Sequence, residues 1–447
     1  MSRVMNDSGV EWIGKIPEEW NLIQLSSAFS ERKNKNIGLM EQNLLSLSYG
    51  RVIRKDINTN EGLLPESFEN YNVLKQGDIV FRLTDLQNDK KSWRTGLCLE
   101  SGIITSAYVT IKPMIDLDSF YMHLLFHSYD ICKVFYGMGG GVRQGLNYAE
   151  LKKLMVLFPP IDDQHRIAEF VGNATKKIDR LISLQEEMIT ELQAYKQSVI
   201  TEAVTKGLDP NVPMKDSGVE WIGMIPDKWR INKFRRIIKS TANGITRRGI
   251  FTESGNIVLK LKNIDSGSSS INYADINRFL LSPDELSQYQ LHDDDLLFVR
   301  VNGSKDLVGK VAIYKDIGES VAYNDHIIKV QLHKGYDVRY ILYYLVSLVG
   351  RTEIGLSIKT SAGQYTISGD DIRSMQLILI PKSEQIMIVK YLDKQCAKID
   401  HLISIKQSKI DTLKEYKKSL IYECVTGKRN CGARGEEKDA GYTGKAV

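Results

Sequence analysis

One fourteen-residue sequence motif occurs twice in this chain, and it constrains the fold more than any other feature. Each copy of this motif is called a phrase below. DSGVEWIGKIPEEW occupies residues 7–20, and DSGVEWIGMIPDKW occupies residues 216–229, 209 positions later. A second repeat relates KIDRLISLQEEMITELQAYKQSVITEAVT, from Lys177, to KIDHLISIKQSKIDTLKEYKKSLIYECVT, from Lys398, at a shift of 221. Two copies at this distance indicate a duplicated unit of half the chain rather than a solenoid of many short repeats.

Composition narrows the class of protein. A length of 447 residues predicts two to four domains. We expect a soluble chain, since no apolar run is long enough to span a membrane and the start lacks the apolar core of a secretory signal. A reducing cytoplasm is expected, because the cysteines form no C-x-x-C pair: Cys98, Cys132, Cys396, Cys424 and Cys431. The net charge of +5 permits a nucleic-acid partner without requiring one.

The second repeat predicts two long helices. Residues 162–204 contain no proline and only Gly172 as a glycine. Apolar residues there follow the three-four spacing of a coiled-coil seam, interrupted by Gln185: Ile178, Leu181, Met188, Leu192, Tyr195 and Val199. The second copy has Ile399, Leu402, Leu413, Tyr416 and Leu420 in the same places. Lys406 and Lys409 interrupt its seam, while Ile403 and Ile410 supply apolar surface at the position after a seam position.

About 40 helical residues would form a rod of ~60 Å that must bury its apolar stripe. Each helix could pack on its own domain. We favour the alternative that the two helices pair antiparallel, because two copies of one unit usually lie about a two-fold axis. The second helix would then end close to the first phrase.

Two variable blocks lie between phrase and helix and read as mixed α/β. Strands are predicted in DIVFRL, GIITSAYVTIK, NIVLKLKNI, DLLFVRV and HIIKVQL, with helices over 119–136 and from about Val338. Two loops are predicted, GMGGGVRQGLN and KTSAGQYTISG. The predicted fold is therefore two α/β domains separated by an antiparallel two-helix coiled coil, with an internal pseudo-two-fold. Its segments are residues 1–158, 159–208, 209–380, 381–430 and a disordered tail, 431–447.

No catalytic constellation is evident. Gly309-Lys310 and Gly444-Lys445 lack the Ser or Thr of a P-loop, no dinucleotide fingerprint opens a helix, and the tetrad of amino-methyltransferases, Asn or Asp followed by Pro-Pro and an aromatic residue, is missing. His123 and His127 are four apart on a predicted helix, but their apolar neighbours favour a packed face over a metal pair. The acidic triplet 293–295 is typical of a solvated turn.

Two features of the sequence are compatible with binding to nucleic acid. Residues 228–248 contain eight basic side chains and no acid, which would suit phosphate contacts but could equally be a solubilising surface. Arginine and amide side chains in glycine-bearing loops can read base edges. The candidate DNA contacts are Arg82, Lys90, Lys91, Arg94, Arg143, Gln144, Asn147, Arg235, Arg236, Arg247, Arg248, Lys260, Lys262, Asn302, Lys305, Lys359, Gln364 and Tyr365.

Taken together, the paired phrases, the FPPIDDQ and IPKSEQ segments that lead into the helices, and the KID-LI to VT helices resemble the specificity (S) subunit of type I DNA restriction-modification systems. The resemblance covers all but about the last fifteen residues. It implies two target recognition domains that read the halves of a bipartite, asymmetric double-stranded DNA target, held apart by a spacer of fixed length.

The resemblance also implies a non-catalytic subunit with no cofactor or metal of its own. Two methyltransferase (M) subunits would dock on the helices and use S-adenosylmethionine, and restriction (R) subunits would use ATP and Mg²⁺. The phrase would repeat because each recognition domain must join the helices in the same way. A scaffold of the same architecture that binds no specific DNA is the alternative.

Overall fold

The computed structural model describes residues 4–58, 67–86, 93–138, 145–246, 252, 254–265, 267–361 and 363–431. The chain folds into two compact units, residues 1–185 with 408–447 and residues 186–407. Both unit boundaries fall inside the long helices, whereas the sequence segments treat each helix as a separate piece. The predicted tail lies almost wholly outside the described residues.

Nine α-helices occur in the described residues: α1 (Leu25–Ala28), α2 (Ser119–Ile131), α3 (Tyr148–Leu151), α4 (Ile161–Lys206), α5 (Pro283–Tyr289), α6 (Val338–Val346), α7 (Leu348–Ser357), α8 (Gly369–Ser374) and α9 (Lys382–Val425). Helices α4 and α9 are the two long helices that the sequence predicts. Among the described residues, no helix has the length and apolar character needed to cross a bilayer.

The strands of unit 1 are β1 (Met5–Asp7), β2 (Lys15–Pro17), β3 (Asn21–Gln24), β4 (Phe29–Glu31), β5 (Leu45–Ser48), β6 (Arg51–Arg54), β7 (Asn72–Leu74), β8 (Ile79–Phe81), β9 (Thr95–Leu97), β10 (Gly102–Ile104), β11 (Val109–Pro113) and β12 (Met155–Phe158). A four-stranded antiparallel sheet, in the order β4-β11-β8-β9, forms the centre of this unit. Its apolar face packs with α2, as the T-shaped contact of Phe81 with Phe126 shows.

The strands of unit 2 are β13 (Met214–Asp216), β14 (Met224–Pro226), β15 (Arg230–Lys233), β16 (Ile238–Asn243), β17 (Asn256–Leu259), β18 (Ile264–Asp265), β19 (Ser270–Ile271), β20 (Arg278–Phe279), β21 (Leu296–Val299), β22 (Val301–Asn302), β23 (Val311–Ile313), β24 (Val321–Tyr323), β25 (Ile327–Leu332), β26 (Lys359–Ser361), β27 (Gln364–Thr366) and β28 (Gln376–Leu379). Its central sheet, β16-β25-β21-β23, is also four-stranded and antiparallel. The mixed α/β prediction is confirmed.

Three element predictions were wrong in detail. The predicted single strand NIVLKLKNI is interrupted after β17 by a 3₁₀ turn, Leu261–Asn263. The predicted loop KTSAGQYTISG contains the hairpin β26–β27, because Thr and Tyr favour strands and Gly363 takes the left-handed turn conformation with φ +77°. The predicted single strand GIITSAYVTIK is broken into β10 and β11 by a turn at Thr105–Tyr108.

The repeated phrase packs on the end of a long helix in each unit. In unit 1, the Tyr422 hydroxyl of α9 donates to the carbonyl of Trp12 at 3.0 Å, and Gly427 lies against Pro17 and Trp20. In unit 2, Gly207, just past α4, lies against Trp229, and Ile200 of α4 is buried in the same core. The second helix therefore ends beside the first phrase, as expected.

The start of each long helix is anchored by a buried glutamine. In unit 1, Gln164 accepts from the backbone N–H of Asp118 at 3.0 Å and donates to the carbonyl of Pro159. In unit 2, Gln385 accepts from the N–H of Asp337 at 2.8 Å and donates to the carbonyl of Ile380. These are the glutamines of FPPIDDQ and IPKSEQ, and they satisfy backbone groups that burial would otherwise leave unpaired.

Within each unit, the halves of α4 and α9 run antiparallel. In unit 1, Lys417 donates to Asp179 at 2.6 Å, while the later Arg429 lies over the earlier Phe170. In unit 2, Lys196 donates to Asp400 at 2.7 Å, while the later Gly207 and the earlier Glu384 both contact Trp229. Ion pairs this exposed contribute little stability, but they fix the direction of the pairing.

The seam is displaced from its predicted register. Leu181, Met188 and Tyr195 of α4 are 46%, 40% and 60% exposed, and Leu402 and Tyr416 of α9 are 45% and 48% exposed, so these five assignments were wrong. Along each helix, one line of side chains is less exposed and marks the observed seam. It consists of Ile178, Ile182, Gln185, Ile189, Leu192, Lys196 and Val199 in α4 and of Cys396, Ile399, Ile403, Lys406, Ile410, Leu413, Lys417 and Leu420 in α9. Lysines can occupy such positions because their aliphatic stems pack while the ammonium reaches water.

Candidate nucleic-acid interface

A small three-stranded sheet in unit 2 brings several predicted contacts together. Strand β27 pairs with both β22 and β26, so that Tyr365 lies opposite Asn302 on one side and Thr360 on the other. Gln364 and Lys359 are exposed on the same sheet, and Lys305 is exposed in the turn that follows β22. Residues from two distant stretches therefore form one polar surface with amide, ammonium and phenol groups.

Two of these side chains have structural partners as well. Tyr365 is half-buried against the core of unit 2. Lys359 donates to Asp371 at 2.6 Å. Burial alone would raise the pKa of Asp371, but the hydrogen bonds from Lys359 and Ser368 lower it overall. The positive charge of Lys359 is thus partly compensated, whereas Gln364 is exposed on the sheet and Lys305 is exposed in the turn after β22.

The basic stretch after the second phrase lies on the surface. Lys228, Arg230, Lys233, Arg235, Arg236 and Lys239 are all exposed. Arg235 and Arg236 belong to a 3₁₀ turn, Phe234–Arg236, that is held by burial of Phe234, and Arg236 donates to the Asn232 side chain at 3.1 Å. Arg247 and Arg248 lie outside the described residues. The described part of the stretch presents positive charge that could meet phosphates.

Lys260 and Lys262 are bound within unit 2. Lys262 donates to Asp275 at 2.5 Å. The ammonium of Lys260 lies 5.5 Å from the centre of the Phe279 ring and donates to Asn277 at 3.3 Å. Both lysines would have to give up these partners to bind DNA, so they are weaker candidates than the sheet residues.

Arg94 was wrongly assigned as a DNA contact. Its side chain is fully buried, and its guanidinium donates to the backbone carbonyls of Arg82, Thr84 and Asp85. Five fixed donors make arginine suited to tying together the carbonyls of an irregular segment. Arg82 itself is half-buried directly after β8. Lys90, Lys91, Arg143 and Gln144 lie outside the described residues.

Asn147 has a structural role that the sequence reading did not foresee. It is the N-cap of α3, accepting from the N–H of Glu150 at 3.1 Å while the Glu150 carboxylate accepts from the N–H of Asn147. Ser368 forms the same reciprocal capping box before α8 in unit 2. Capping therefore accounts for Asn147, although its side chain remains exposed.

Sequence reasoning missed the hairpin β5–β6. Strand β5 pairs with β6 through Leu47 opposite Val52, and only Tyr49 and Gly50 connect the two strands. The alternation of Leu45–Ser48 followed by Gly50 is only a partial hairpin signal, because Tyr rather than Asn, Asp or Gly precedes the glycine. The hairpin presents Tyr49, Arg51 and Ile53 to solvent.

His123 and His127 form part of the packed face of α2 rather than a surface site. Their rings are stacked with centres 6.4 Å apart, and Trp93 stacks on His127 at 4.1 Å. Burial lowers the pKa of His127 to about 3 and that of His123 to about 4. Within the described ranges, no group of three or more His, Cys, Asp or Glu side chains is arranged to hold a metal ion.

Comparison with known proteins finds relatives that span nearly the whole chain. The model of the type I restriction modification DNA specificity domain matches residues 101–194. The EcoKI specificity subunit of Escherichia coli K12 is 23% identical over 440 residues, 95% of this chain and 92% of that protein. The MjaVIII specificity subunit of Methanocaldococcus jannaschii is 21% identical over 425 residues, 93% and 94% of the two chains.

The fold has a relative of known structure. A chain from a study of complex assembly and conformational transition of the type I R-M system superposes with a TM-score of 0.67 at 15% identity, covering 92% of this chain and 98% of that one. This likeness concerns the fold. Together with the family match and the two relatives that span nearly the whole chain, it confirms the resemblance seen in the sequence: this chain is similar to the specificity subunits of type I restriction-modification systems.

Proposed function

We propose that the chain reads a bipartite, asymmetric double-stranded DNA sequence, with each unit reading one half. The observation that carries this proposal is the combination of equivalent scaffolds and unlike surfaces. Both units contain a four-stranded antiparallel sheet and a phrase packed on a helix end. Around these scaffolds, unit 1 carries the hairpin β5–β6, whereas unit 2 carries the sheet β22-β27-β26.

The long helices act in this proposal as the spacer. Two readers bind cooperatively only when both reach the groove together, so their separation must match the gap between half-sites. The antiparallel helix halves found within each unit are what a two-helix coiled coil would require. Their paired direction supports the spacer.

Docking of methyltransferase subunits is proposed for the outer faces of these helices. The residues that the sequence analysis placed in the seam, among them Leu181, Tyr195 and Tyr416, are instead 46%, 60% and 48% exposed. Large apolar side chains on a helix surface favour a protein partner. Because the helix ends and phrases are alike in the two units, two identical M subunits would meet equivalent surfaces.

The chemistry is assigned to the partners. In the proposal this chain is non-catalytic and carries no cofactor, M subunits methylate adenine with S-adenosylmethionine, and R subunits use ATP and Mg²⁺. The chain contributes the choice of sequence and the spacing. Its basic surface over residues 228–239 would hold the duplex backbone without discriminating among sequences.

Exchange of one block tests the proposal. Residues 21–158 are replaced by the equivalent block of another specificity subunit, the chain is expressed with its M subunits, and modified adenines are mapped across a genome. We expect one half of the target to change while the other half and the gap are retained. Changes in both halves would contradict the two-reader account. A scaffold without specific DNA binding would give no sequence-dependent modification and no salt-dependent preference for a target duplex.

A further inference from the structure

We infer that the hairpin β5–β6 of unit 1 is a DNA-reading element whose tip, Tyr49, places its aromatic ring against base edges in the groove. This inference rests on the proposed function and adds to it a specific contact residue. Four observations carry it: the backbone conformation of the tip, its exposure, its support from below, and the charge around it.

The tip adopts a conformation that tyrosine disfavours. Tyr49 has φ +46° and Gly50 has φ +75°, the pair of left-handed residues that a two-residue type I′ hairpin turn requires. Asn or Gly normally occupies the first of these positions, because a residue with a larger side chain is strained there. The side chain of Tyr49 is 89% exposed, so packing within the chain does not explain the choice. A strained, exposed aromatic residue is typical of a binding role.

The turn is supported rigidly from below. A Cβ built on Gly50 would lie 2.9 Å from Cε3 of Trp93, so the turn backbone rests directly on the indole. Trp93 in turn stacks on His127 of α2, with ring centres 4.1 Å apart and planes 21° apart. At the base of the hairpin, Leu45 and Leu47 are buried in a separate apolar cluster. The tip is therefore held in place before any partner binds, which lowers the entropy cost of binding.

The charge of the hairpin favours a duplex. Residues 42–55 contain three basic side chains and no acid. The guanidinium of Arg54 is bound to Glu100 at 2.8 Å, while Arg51 is exposed next to the tip, opposite Ser48. A guanidinium and a hydroxyl beside a projecting ring are groups that can contact phosphates and base edges, and an aromatic ring can contact the methyl group of thymine.

The test compares Tyr49→Gly and Tyr49→Phe with Met40→Ala, a control at a side chain that is 88% exposed in the same unit. Each full chain is assembled with its M subunits, and equilibrium binding is measured to the duplex mapped for the unaltered protein and to a duplex in which the half read by unit 1 is scrambled. The urea midpoint of each free chain is measured as well.

We expect Tyr49→Gly to bind the target about tenfold more weakly, with unchanged affinity for the scrambled duplex and a urea midpoint that is unchanged or higher, because glycine relieves the turn. Tyr49→Phe and Met40→Ala should stay within about threefold of the unaltered protein. Unchanged target affinity in Tyr49→Gly would overturn the inference, as would a loss of binding that comes from failed assembly with M subunits. If the unaltered complex itself does not distinguish the two duplexes, the proposed function fails first.

Discussion

The indole nitrogen of Trp20 donates a hydrogen bond to Oδ2 of Asp163 at 2.8 Å across 143 residues of sequence. It ties the end of the first phrase to the first turn of α4. In unit 2, Trp229 makes the equivalent bond to Glu384 at 2.8 Å. The carboxylate is an aspartate in one copy and a glutamate in the other, so the bond is preserved although the acceptor differs.

We predict that Trp20→Phe lowers the free energy of unfolding by about 1.5–3 kcal/mol, because the variant keeps most of the ring but loses a bond to a charged acceptor. Urea denaturation of the full chain measures the change. A cycle with Asp163→Ala isolates the pair. If the two effects simply add, the hydrogen bond does not stabilise this junction.

Gln185→Leu is expected to stabilise the chain. Gln185 is 6% exposed in the helix seam, and its side-chain oxygen has no hydrogen-bond partner among the described residues. Removing a buried amide oxygen that has no hydrogen-bond partner should raise the free energy of unfolding by about 1–2 kcal/mol. The matched control is Leu181→Gln at a 46% exposed neighbour, which should change it by less than about 0.5 kcal/mol. A larger loss of unfolding free energy in Leu181→Gln would indicate that Leu181 lies in the seam, as the sequence predicted.

Acid should destabilise unit 1 through His127. Burial lowers its pKa to about 3, and the nearby His123, Lys417 and Lys418 act in the same direction. Below about pH 6.5 the His127 imidazole therefore binds a proton in the unfolded chain but not in the folded chain. The free energy of unfolding consequently falls as the pH falls from about 6.5 toward 3.

In numbers, His127 should account for a loss of about 2 kcal/mol between pH 7 and pH 5. His127→Phe keeps an aromatic ring against Trp93 and should remove that part of the pH dependence. Urea midpoints at the two pH values provide the measurement. Met40→Ala, a change at a non-titrating side chain that is 88% exposed in the same unit, is the control and should leave the dependence as it is. Equal slopes for His127→Phe and the unaltered chain would refute the prediction.

Lengthening the helices should change the gap and nothing else. Insertion of seven residues into both α4 and α9 preserves the heptad spacing and adds about 10 Å of helix. We expect the mapped target to keep both half-sites while the tolerated gap grows by about three base pairs, given ~3.4 Å per pair. An altered half-site with an unchanged gap would argue against the spacer.

The sequence was sufficient for features that depend on local pattern and on duplication. The absence of proline from residues 162–204 and the apolar three-four spacing were enough to predict α4, and the repeated phrase was enough to predict that both long helices end beside equivalent segments. Such signals are visible because helical periodicity and copied segments are written along one stretch of chain.

The candidate contacts were less predictable for a physical reason. Whether an arginine can contact DNA or instead stabilises the fold depends on its surroundings. Arg94 is buried among backbone carbonyls, whereas Arg235 is exposed. Likewise, Ile182 rather than Leu181 lies in the seam. The two residues are adjacent in sequence, and only the location of α9 decides which of them is covered.

The sequence by itself determined the duplicated plan, the long helices and the family resemblance. Only the tertiary structure decided which side chains are exposed for contact with DNA. It placed Asn302 opposite Tyr365 on neighbouring strands, and it placed Tyr49 on a turn supported by Trp93. Exposure and neighbourhood arise from contacts between residues far apart in the chain, and such contacts leave no periodic trace in a single sequence.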